Sequence, residues 1–534
     1  MTYAAPRTDT AIIQTTYGPV RGTHCGPVAV WKGIRYAAAP TGDRRFRAPV
    51  PPQPWAEVFD ADRFGPVGPQ SAMPGMSLGD DVRQDEDCLS LNVWAPDTGG
   101  TKKPVMVWIH GGAYFRGASS QPVYDGRALA EAGDVVVVTI NYRLGAFGFV
   151  DFSSLSSDRH RFDTNVAMQD MIAALRWVQA NIAAFGGDPD CVTVFGESAG
   201  GGAVTTLLTM PSARGLFHRA IAESSPATSV YNQERAAHVA QLFLEILGGA
   251  DDPVDRLLTA STDELLAASD ELFSRIPTDT PGTLAFGPVV DGTLIPDYPV
   301  NAYWNGTALR VPLLIGTNKD EASLFKLMKS PLMPLDPDVI RGMFAEIAAE
   351  HPDVEFPDQA RIESAYSGLA TRNDAMGLTR DFGFRLPTLW IVEAHSRYAP
   401  TWLYRFDYAT PMLKALKIGA THATELPYVF GNIAHGPREI TYLLGGLSTA
   451  RRVSERMQHR WLAFAEAGTP LGLEGEPEWR AYDRDGRSTL VIDKHDTVVA
   501  DLDGPLRAAW GSRSSRSREH PARWASKKSF ESLK

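Results

Sequence analysis

Residues Cys191–Met210 read CVTVFGESAGGGAVTTLLTM, and the order strand, sharp turn, helix is written into them. Val192–Phe195 is an apolar run, Gly196-Glu197-Ser198-Ala199-Gly200 follows it, and a helix-forming stretch starts near Ala203. A serine at such a turn is held in strained backbone geometry, with its hydroxyl raised above the edge of a sheet. Glycines flank it because a Cβ there would clash where strand and helix approach closely. The helix that follows turns its N-terminal N–H groups and the positive end of its dipole toward the serine. G-x-S-x-G alone is a weak signal in a chain with 47 glycines. The strand before it, the helix after it, and Ala199, small enough to leave its N–H open, identify Ser198 as a candidate nucleophile.

Outward from this turn, the chain alternates apolar runs with helical segments. Pro104–Ile109 (PVMVWI) and Asp134–Ile140 (DVVVVTI) precede it, and Asn165–Phe185 carries apolar residues at helical spacing. Arg219–Glu223, Val311–Ile315 and Thr401–Phe406 supply further strands. Continuous apolar runs alternating with helices predict an α/β fold around a mostly parallel sheet buried on both faces. Two helical stretches, 232–275 and 330–400, are too long for connections and are expected to cap the sheet's C-terminal edge. At the N-terminus, Gly18–Gly22 and Val28–Gly33 read as a small β meander. Residues 65–85 read as a long loop, and Glu86–Trp94 alternates like a half-buried strand. Residues 1–510 are thus expected to form one catalytic domain. The tail, 511–534, is rich in Ser, Arg and Lys and is expected to be disordered.

Composition sets limits on function. The chain has 534 residues, 44% hydrophobic and 22% charged, the profile of a soluble protein with a large core. Its net charge is -11; the last 24 residues contribute +5, leaving -16 for the rest. An acidic body argues against nucleic acid as a partner. The N-terminus lacks a basic segment followed by an apolar one, so no signal peptide is expected. No run is apolar enough to span a membrane, so stable membrane insertion is not expected either. Cys25, Cys88 and Cys191 show neither disulfide-framework nor zinc spacing. The expected location is cytoplasmic; the oligomeric state is open.

A serine nucleophile for acyl transfer needs a base, a group that orients the base, and N–H donors for the oxyanion. On this fold the chain order is Ser, then Asp or Glu, then His. The strand Val311–Ile315 runs into Gly316-Thr317-Asn318-Lys319-Asp320-Glu321, so the acid is Asp320 or Glu321, which spacing does not separate. Seven histidines follow: His351, His395, His422, His435, His459, His495 and His520. His422, in a loop of small residues soon after Thr401–Phe406, is favoured over His435. Upstream, His110-Gly111-Gly112-Ala113 leaves a buried strand as a glycine-rich loop fit to supply oxyanion donors.

These motifs together resemble the type B carboxylesterases, the cholinesterase-like branch of the α/β-hydrolases. The resemblance runs from about residue 12 to 505, through WKGIRYA, EDCLSLNVW, VWIHGGAYFRG, NYRLGAFGF, FGGDPDCVTVFGESAGG, GTNKDEASLF and THATELPYVFG. It implies Ser198 as nucleophile, Glu321 rather than Asp320 as acid, and His422 as base. It also implies oxyanion donors from the backbones of Gly112, Ala113 and Ala199, no metal or cofactor, a small-molecule ester as substrate, and structural ion pairs Arg45–Glu86 and Arg143–Asp170.

Three departures from the family pattern matter. Gly68 stands where the family usually has the disulfide partner of Cys88, so Cys88 should be a free thiol. The loop before Glu86 has no tryptophan, which removes the family's cation–π site for quaternary ammonium and makes choline esters poor substrates. Ala113 replaces the third glycine of the commonest oxyanion loop. The expected activity is therefore hydrolysis of carboxylic esters through an acyl-enzyme. Amides, carbamates, lactones or lipids as main substrates, or a non-catalytic binding role, are the alternatives.

Overall fold

A computed structural model describes residues 12–72, 77–79, 81–100, 102–158, 160–248, 251–328, 330, 332, 336, 339–340, 359–366, 371–433 and 440–510. His351, His435, His520 and the 511–534 tail lie outside them. The strands in chain order are β1 (Ile12–Gln14), β2 (Pro19–Arg21), β3 (Thr23–Cys25), β4 (Val28–Arg35), β5 (Phe59–Asp60), β6 (Ser90–Pro96) and β7 (Lys103–Ile109). They continue with β8 (Val136–Ile140), β9 (Gly187–Glu197), β10 (Arg219–Glu223), β11 (Leu313–Asn318), β12 (Thr401–Phe406), β13 (Ser488–Ile492) and β14 (Thr497–Ala500). Among the described residues, eleven of them form one sheet in the order β14-β13-β12-β11-β10-β9-β7-β8-β6-β4-β3. From β8 to β13 every pairing is parallel, and the strands beyond both ends are antiparallel. This is the mostly parallel α/β sheet expected of an α/β-hydrolase.

Buried strands still obey a period of two. Val105, Val107 and Ile109 join Val192, Val194, Ala220, Ala222, Leu313 and Ile315 in one core. Met106, Trp108, Phe195, Ile221, Leu314, Trp402 and Tyr404 fill the other. Each face is thus covered, which is why the sequence shows unbroken apolar runs rather than alternation.

The structure corrects three expectations. β6 is buried at all seven positions, not half-buried, because Leu91, Val93 and Ala95 pack into the core on one face of the sheet and Trp94 into the core on the other. The N-terminal strands do not form one meander: β1, β2 and β5 make a separate three-stranded sheet, while β3 and β4 extend the main one. The helix after Ser198 begins at Ala199 rather than near Ala203. Its glycines oppose helix formation by propensity, but close packing requires them. A Cβ at Gly200 would sit 2.0 Å from the Ile109 carbonyl oxygen, and one at Gly201 2.5 Å from that of Glu223.

The stretch expected to be helical at 232–275 forms helices Gln233–Leu247, Pro253–Thr259 and Thr262–Asp279. Arg45 ties this insertion to the body. Its guanidinium donates to both Glu86 oxygens, at 2.9 and 2.6 Å, and to the carbonyls of Leu257, Leu258 and Ala260 at the end of the middle helix. The described part of the second stretch includes helices Gln359–Ala365, Arg372–Arg380 and Leu386–His395, the last two joined by a π-helical turn at Asp381–Arg385. All three cysteines, Cys88 included, are free thiols.

Arg143, just past β8, makes the expected pair with Asp170 on the helix Val166–Asn181. Nε and Nη2 donate to the two carboxylate oxygens at 2.8 and 2.7 Å, and both side chains are almost wholly buried. Breaking one partner leaves an uncompensated buried charge, which typically costs about 3–5 kcal/mol. Asp170→Asn is therefore expected to lower unfolding free energy by about that amount in a denaturant titration; a loss under about 1 kcal/mol would refute the structural role.

Candidate active site

Ser198 stands between the C-terminal end of β9 and the helix Ala199–Leu207, with φ 57° and ψ −125°. This left-handed backbone costs a β-carbon-bearing residue on the order of 1–3 kcal/mol, and the surroundings enforce it. The Ser198 N–H donates to the Glu223 carbonyl at 3.0 Å, and the Ser198 carbonyl accepts from Gly202 N–H at 2.8 Å. A Cβ at Gly196 would lie 2.7 Å from the Ile109 carbonyl oxygen and from Gly200. Strand and helix can pack this tightly only with glycine at both sites, which confirms the sequence argument. The Ser198 side chain remains partly exposed in an otherwise buried stretch.

His422 Nε2 lies 2.9 Å from Ser198 Oγ, and its Nδ1 lies 2.7 Å from Glu321 Oε2. Glu321 follows β11 and is fully buried. Its other oxygen accepts from the Ser224 hydroxyl at 2.6 Å and from the Asn318 N–H at 2.7 Å. Because Oε2 can only accept, Nδ1 must carry the imidazole proton, which leaves Nε2 free to accept from Ser198. Asp320 turns away: its carboxylate accepts from the Ala420 N–H at 3.1 Å and supports the loop carrying His422. Of the two acids that spacing left open, Glu321 and not Asp320 is the one whose carboxylate lies against His422.

The loop after β7 stands beside the nucleophile, where a Cβ at Gly111 would lie 3.0 Å from Ser198 Cβ. Gly112, Ala113 and Tyr114 have φ of 115°, 55° and 59°, and a Cβ at Gly112 would meet the Arg116 carbonyl at 2.1 Å. Two buried side chains brace the loop. His110 Nδ1 lies 2.8 Å from the Gly111 carbonyl, and burial pushes this imidazole down to about 4, so it stays neutral. Gln70 accepts from Gly117 N–H at 2.8 Å and donates to the Gly117 carbonyl at 2.9 Å. Among the described residues, the N–H groups of Gly112, Ala113 and Ala199 have no backbone acceptor.

Sequence reasoning missed the groups beneath the serine. Glu197 is buried, and its Oε1 lies 3.2 Å from His422 Nε2 without the alignment of a hydrogen bond. Burial raises the Glu197 carboxyl, while the nearby imidazole opposes that rise. Burial alone would lower His422, but Glu197 and Glu321 outweigh it and raise the imidazole above its ordinary value. A proton held by Glu197 removes one of those two charges, so the two groups titrate together. Glu223 faces Glu197 in the β9–β10 register, takes a hydrogen bond from Trp461 Nε1 at 2.7 Å, and is pushed up to about 8 by burial. Glu425 is also buried and raised, and accepts a short hydrogen bond from Asn318 Nδ2. Only pairing across strands and loops brings these acids together, so no local motif marks them. The Phe384 and Phe325 rings lie 4.7 and 5.2 Å from the His422 ring. Phe384 belongs to the π-helical turn, an irregularity common at functional sites.

Fold and site geometry together define the class: an α/β-hydrolase of the serine type. The carboxylesterase family matches residues 9–507. The chain is 41% identical to the para-nitrobenzyl esterase of Bacillus subtilis, over 93% of this chain and 97% of that protein. It is 31% identical to the phenmedipham hydrolase of Pseudarthrobacter oxydans, over 92% and 97% respectively. The crystal structure of a Geobacillus stearothermophilus carboxylesterase, 37% identical, superposes with a TM-score of 0.80 over 95% of this chain and all of that one. The chain therefore belongs to the carboxylesterase family. It is a serine carboxylesterase, a carboxylic ester hydrolase not specialised for choline esters.

Proposed function

We propose that Ser198 is the nucleophile, His422 the general base and Glu321 the residue that orients and charge-stabilises it, with Gly112, Ala113 and Ala199 N–H groups as the oxyanion hole. The observation that carries this is the unbroken chain Ser198 Oγ–His422 Nε2 at 2.9 Å and His422 Nδ1–Glu321 Oε2 at 2.7 Å. His422 takes the serine proton as Oγ attacks the ester carbonyl, and the imidazolium is stabilised by Glu321. The three N–H groups hold the negative oxygen, and His422 returns the proton to the departing alcohol. Water then attacks the acyl carbonyl while His422 takes its proton, the bond from the acyl carbon to Ser198 Oγ breaks, and His422 returns the proton to Oγ as the acid leaves. Residues 1–510 work in this reading as one catalytic unit, with 511–534 as an appended tail. The free thiol of Cys88 supports a cytoplasmic location.

The preferred substrates are uncharged esters with an apolar or aryl group, which suits the Phe325 and Phe384 rings beside His422 and the name of the Bacillus relative, a para-nitrobenzyl esterase. An aromatic fluorophosphonate should label Ser198 stoichiometrically, with the adduct mapped by peptide mass. Hydrolysis of a nitrophenyl butyrate should exceed that of the corresponding choline ester and anilide by at least about tenfold in kcat/KM, the order expected when a specific site lacks its matching contact. Label on another residue, or an anilide preferred over the ester, would overturn the assignment.

A further inference from the structure

Two consecutive residues of the glycine-rich loop after β7, Ala113 and Tyr114, hold φ of 55° and 59°. Side-chain-bearing residues keep such left-handed backbone only where their surroundings impose it. Hydrogen bonds impose part of it. The Phe115 and Arg116 N–H groups both donate to the Gly112 carbonyl, at 3.0 and 2.9 Å, and Gly145 N–H donates to the Tyr114 carbonyl at 2.9 Å. The Tyr114 ring packs on Phe149 at 4.6 Å, and its hydroxyl lies where a Cβ at Gly202 would meet it at 2.6 Å. Phe115, next in the chain, is held by the insertion instead.

Phe115 is buried, and its ring stacks on Phe273 with centroids 4.3 Å apart and planes at 21°. Phe286 adds a second near-parallel ring at 5.3 Å. Phe273 belongs to the helix Thr262–Asp279, the last of the insertion. The Arg116 guanidinium lies 5.0 Å from the Phe115 ring and 5.8 Å from that of Phe273. Its Nη2 is 3.9 Å from Oδ1 of Asp270 on the same helix, and Asp270 also accepts from the Ser71 hydroxyl. An aromatic pair of this geometry contributes more than its buried area alone, whereas a partly exposed ion pair contributes little. Phe273 is therefore the main link between the insertion and the loop.

The helix that carries Phe273 is itself anchored. A capping box between Ser261 and Glu264 closes its N-terminus, and Thr262 Oγ1 donates to Glu86 Oε1 at 2.7 Å. Further along, Ser269 Oγ accepts from Ala146 N–H at 3.4 Å. We infer that Phe273 is a positioning residue for ester hydrolysis: by stacking on Phe115 it holds the N–H groups of Gly112 and Ala113 where the oxyanion forms. The inference rests on the reading of those groups as oxyanion donors. Phe273 acts through Phe115 and the loop, not on the substrate. The placement matters because such donors work only within hydrogen-bonding reach of the developing oxyanion, so a small displacement of the loop costs rate.

The test measures kcat and KM for nitrophenyl butyrate beside the affinity for an aryl trifluoromethyl ketone, in the full chain. Ser198 Oγ adds to the ketone carbon, the serine proton passes to His422, and the new oxyanion occupies the hole, so ketone affinity reads the same N–H groups as kcat. Phe273→Ala should lower kcat about thirtyfold, within the loss of 10²–10³ for a whole donor, weaken the ketone in parallel and leave KM within about threefold. Phe273→Tyr keeps the ring and should recover most of that loss. Should the alanine variant not fold, Phe273→Leu keeps the apolar bulk without the stacked ring and should lose at least about fivefold in both readouts, the scale of one aromatic pair. Gly112→Ala is the control, because a Cβ there meets the Arg116 carbonyl at 2.1 Å and displaces the loop directly. If Gly112→Ala loses about 10² in both readouts while Phe273→Ala and Phe273→Leu match the wild type, the oxyanion hole stands and the positioning role is overturned. Wild-type values in Gly112→Ala would remove the oxyanion reading and this inference with it. A change in KM alone, a fall in kcat without weaker ketone binding, or equal losses in the tyrosine and alanine variants would also overturn it.

Discussion

Ser198→Ala is expected to lower kcat for a short-chain nitrophenyl ester by about 10⁶, the scale on which a serine hydrolase loses its nucleophile. Alanine carries the same Cβ as serine, so it meets the same backbone demand at φ 57°, and no buried hydrogen bond besides that to His422 Nε2 is lost. Stability and secondary structure should stay at wild-type values, so the loss reads chemistry rather than folding. A residual rate about 10³–10⁴ above water is the most that the N–H donors and binding should sustain. Turnover within tenfold of wild type would remove Ser198 from the mechanism.

Much of this site is visible in the chain before any coordinates, because its essential parts are local. A strand that ends in Gly-x-Ser-x-Gly must turn where it does, since Gly196 and Gly200 approach the Ile109 carbonyl more closely than any Cβ permits. The glycine-rich loop after β7 is legible for the same reason. What stays hidden depends on register. Asp320 and Glu321 are adjacent in a turn and chemically alike; they part only because one faces the Ala420 N–H and the other faces Nδ1 of His422. Glu197, Glu223 and Glu425 occupy one buried layer through pairings between distant strands and loops. The half-buried reading of β6 failed for a related reason: alternation along one strand does not show that a second core, here the one holding Trp94, covers its other face.

The buried acids also show why the layer beneath the serine works as a unit. Several carboxyl groups cannot all ionise in one desolvated space. Burial keeps Glu223 and Glu425 raised, so each favours its neutral form, and Glu197 is held between them and the imidazole. Glu321 differs from these three in its partners: among the described residues it meets three donors, from Ser224, Asn318 and His422.

Glu321→Gln tests that arrangement by removing one charge at nearly constant shape. The amide has one accepting oxygen and one donating nitrogen where the carboxylate had two acceptors. The Asn318 N–H is a backbone donor fixed at 2.7 Å from Oε1 and cannot rotate away. The amide oxygen must therefore stay on the Asn318 side, and the NH₂ group then faces His422 Nδ1. Nδ1 must become an acceptor, the imidazole proton moves to Nε2, and Nε2 can no longer take the proton of Ser198. An enforced wrong tautomer of this kind costs about 10⁴ in kcat with geometry intact. The charge has a second readout with a definite sign. Glu197 and Glu321 both raise the His422 imidazole; with Glu321 neutral its pKa falls, the unprotonated form persists to lower pH, and the acid limb of kcat/KM moves down. A structural defect alone would lower the rate without moving that limb. Loss of less than tenfold in kcat, or an acid limb that moves up, would show that Glu321 neither fixes the tautomer nor supplies the charge.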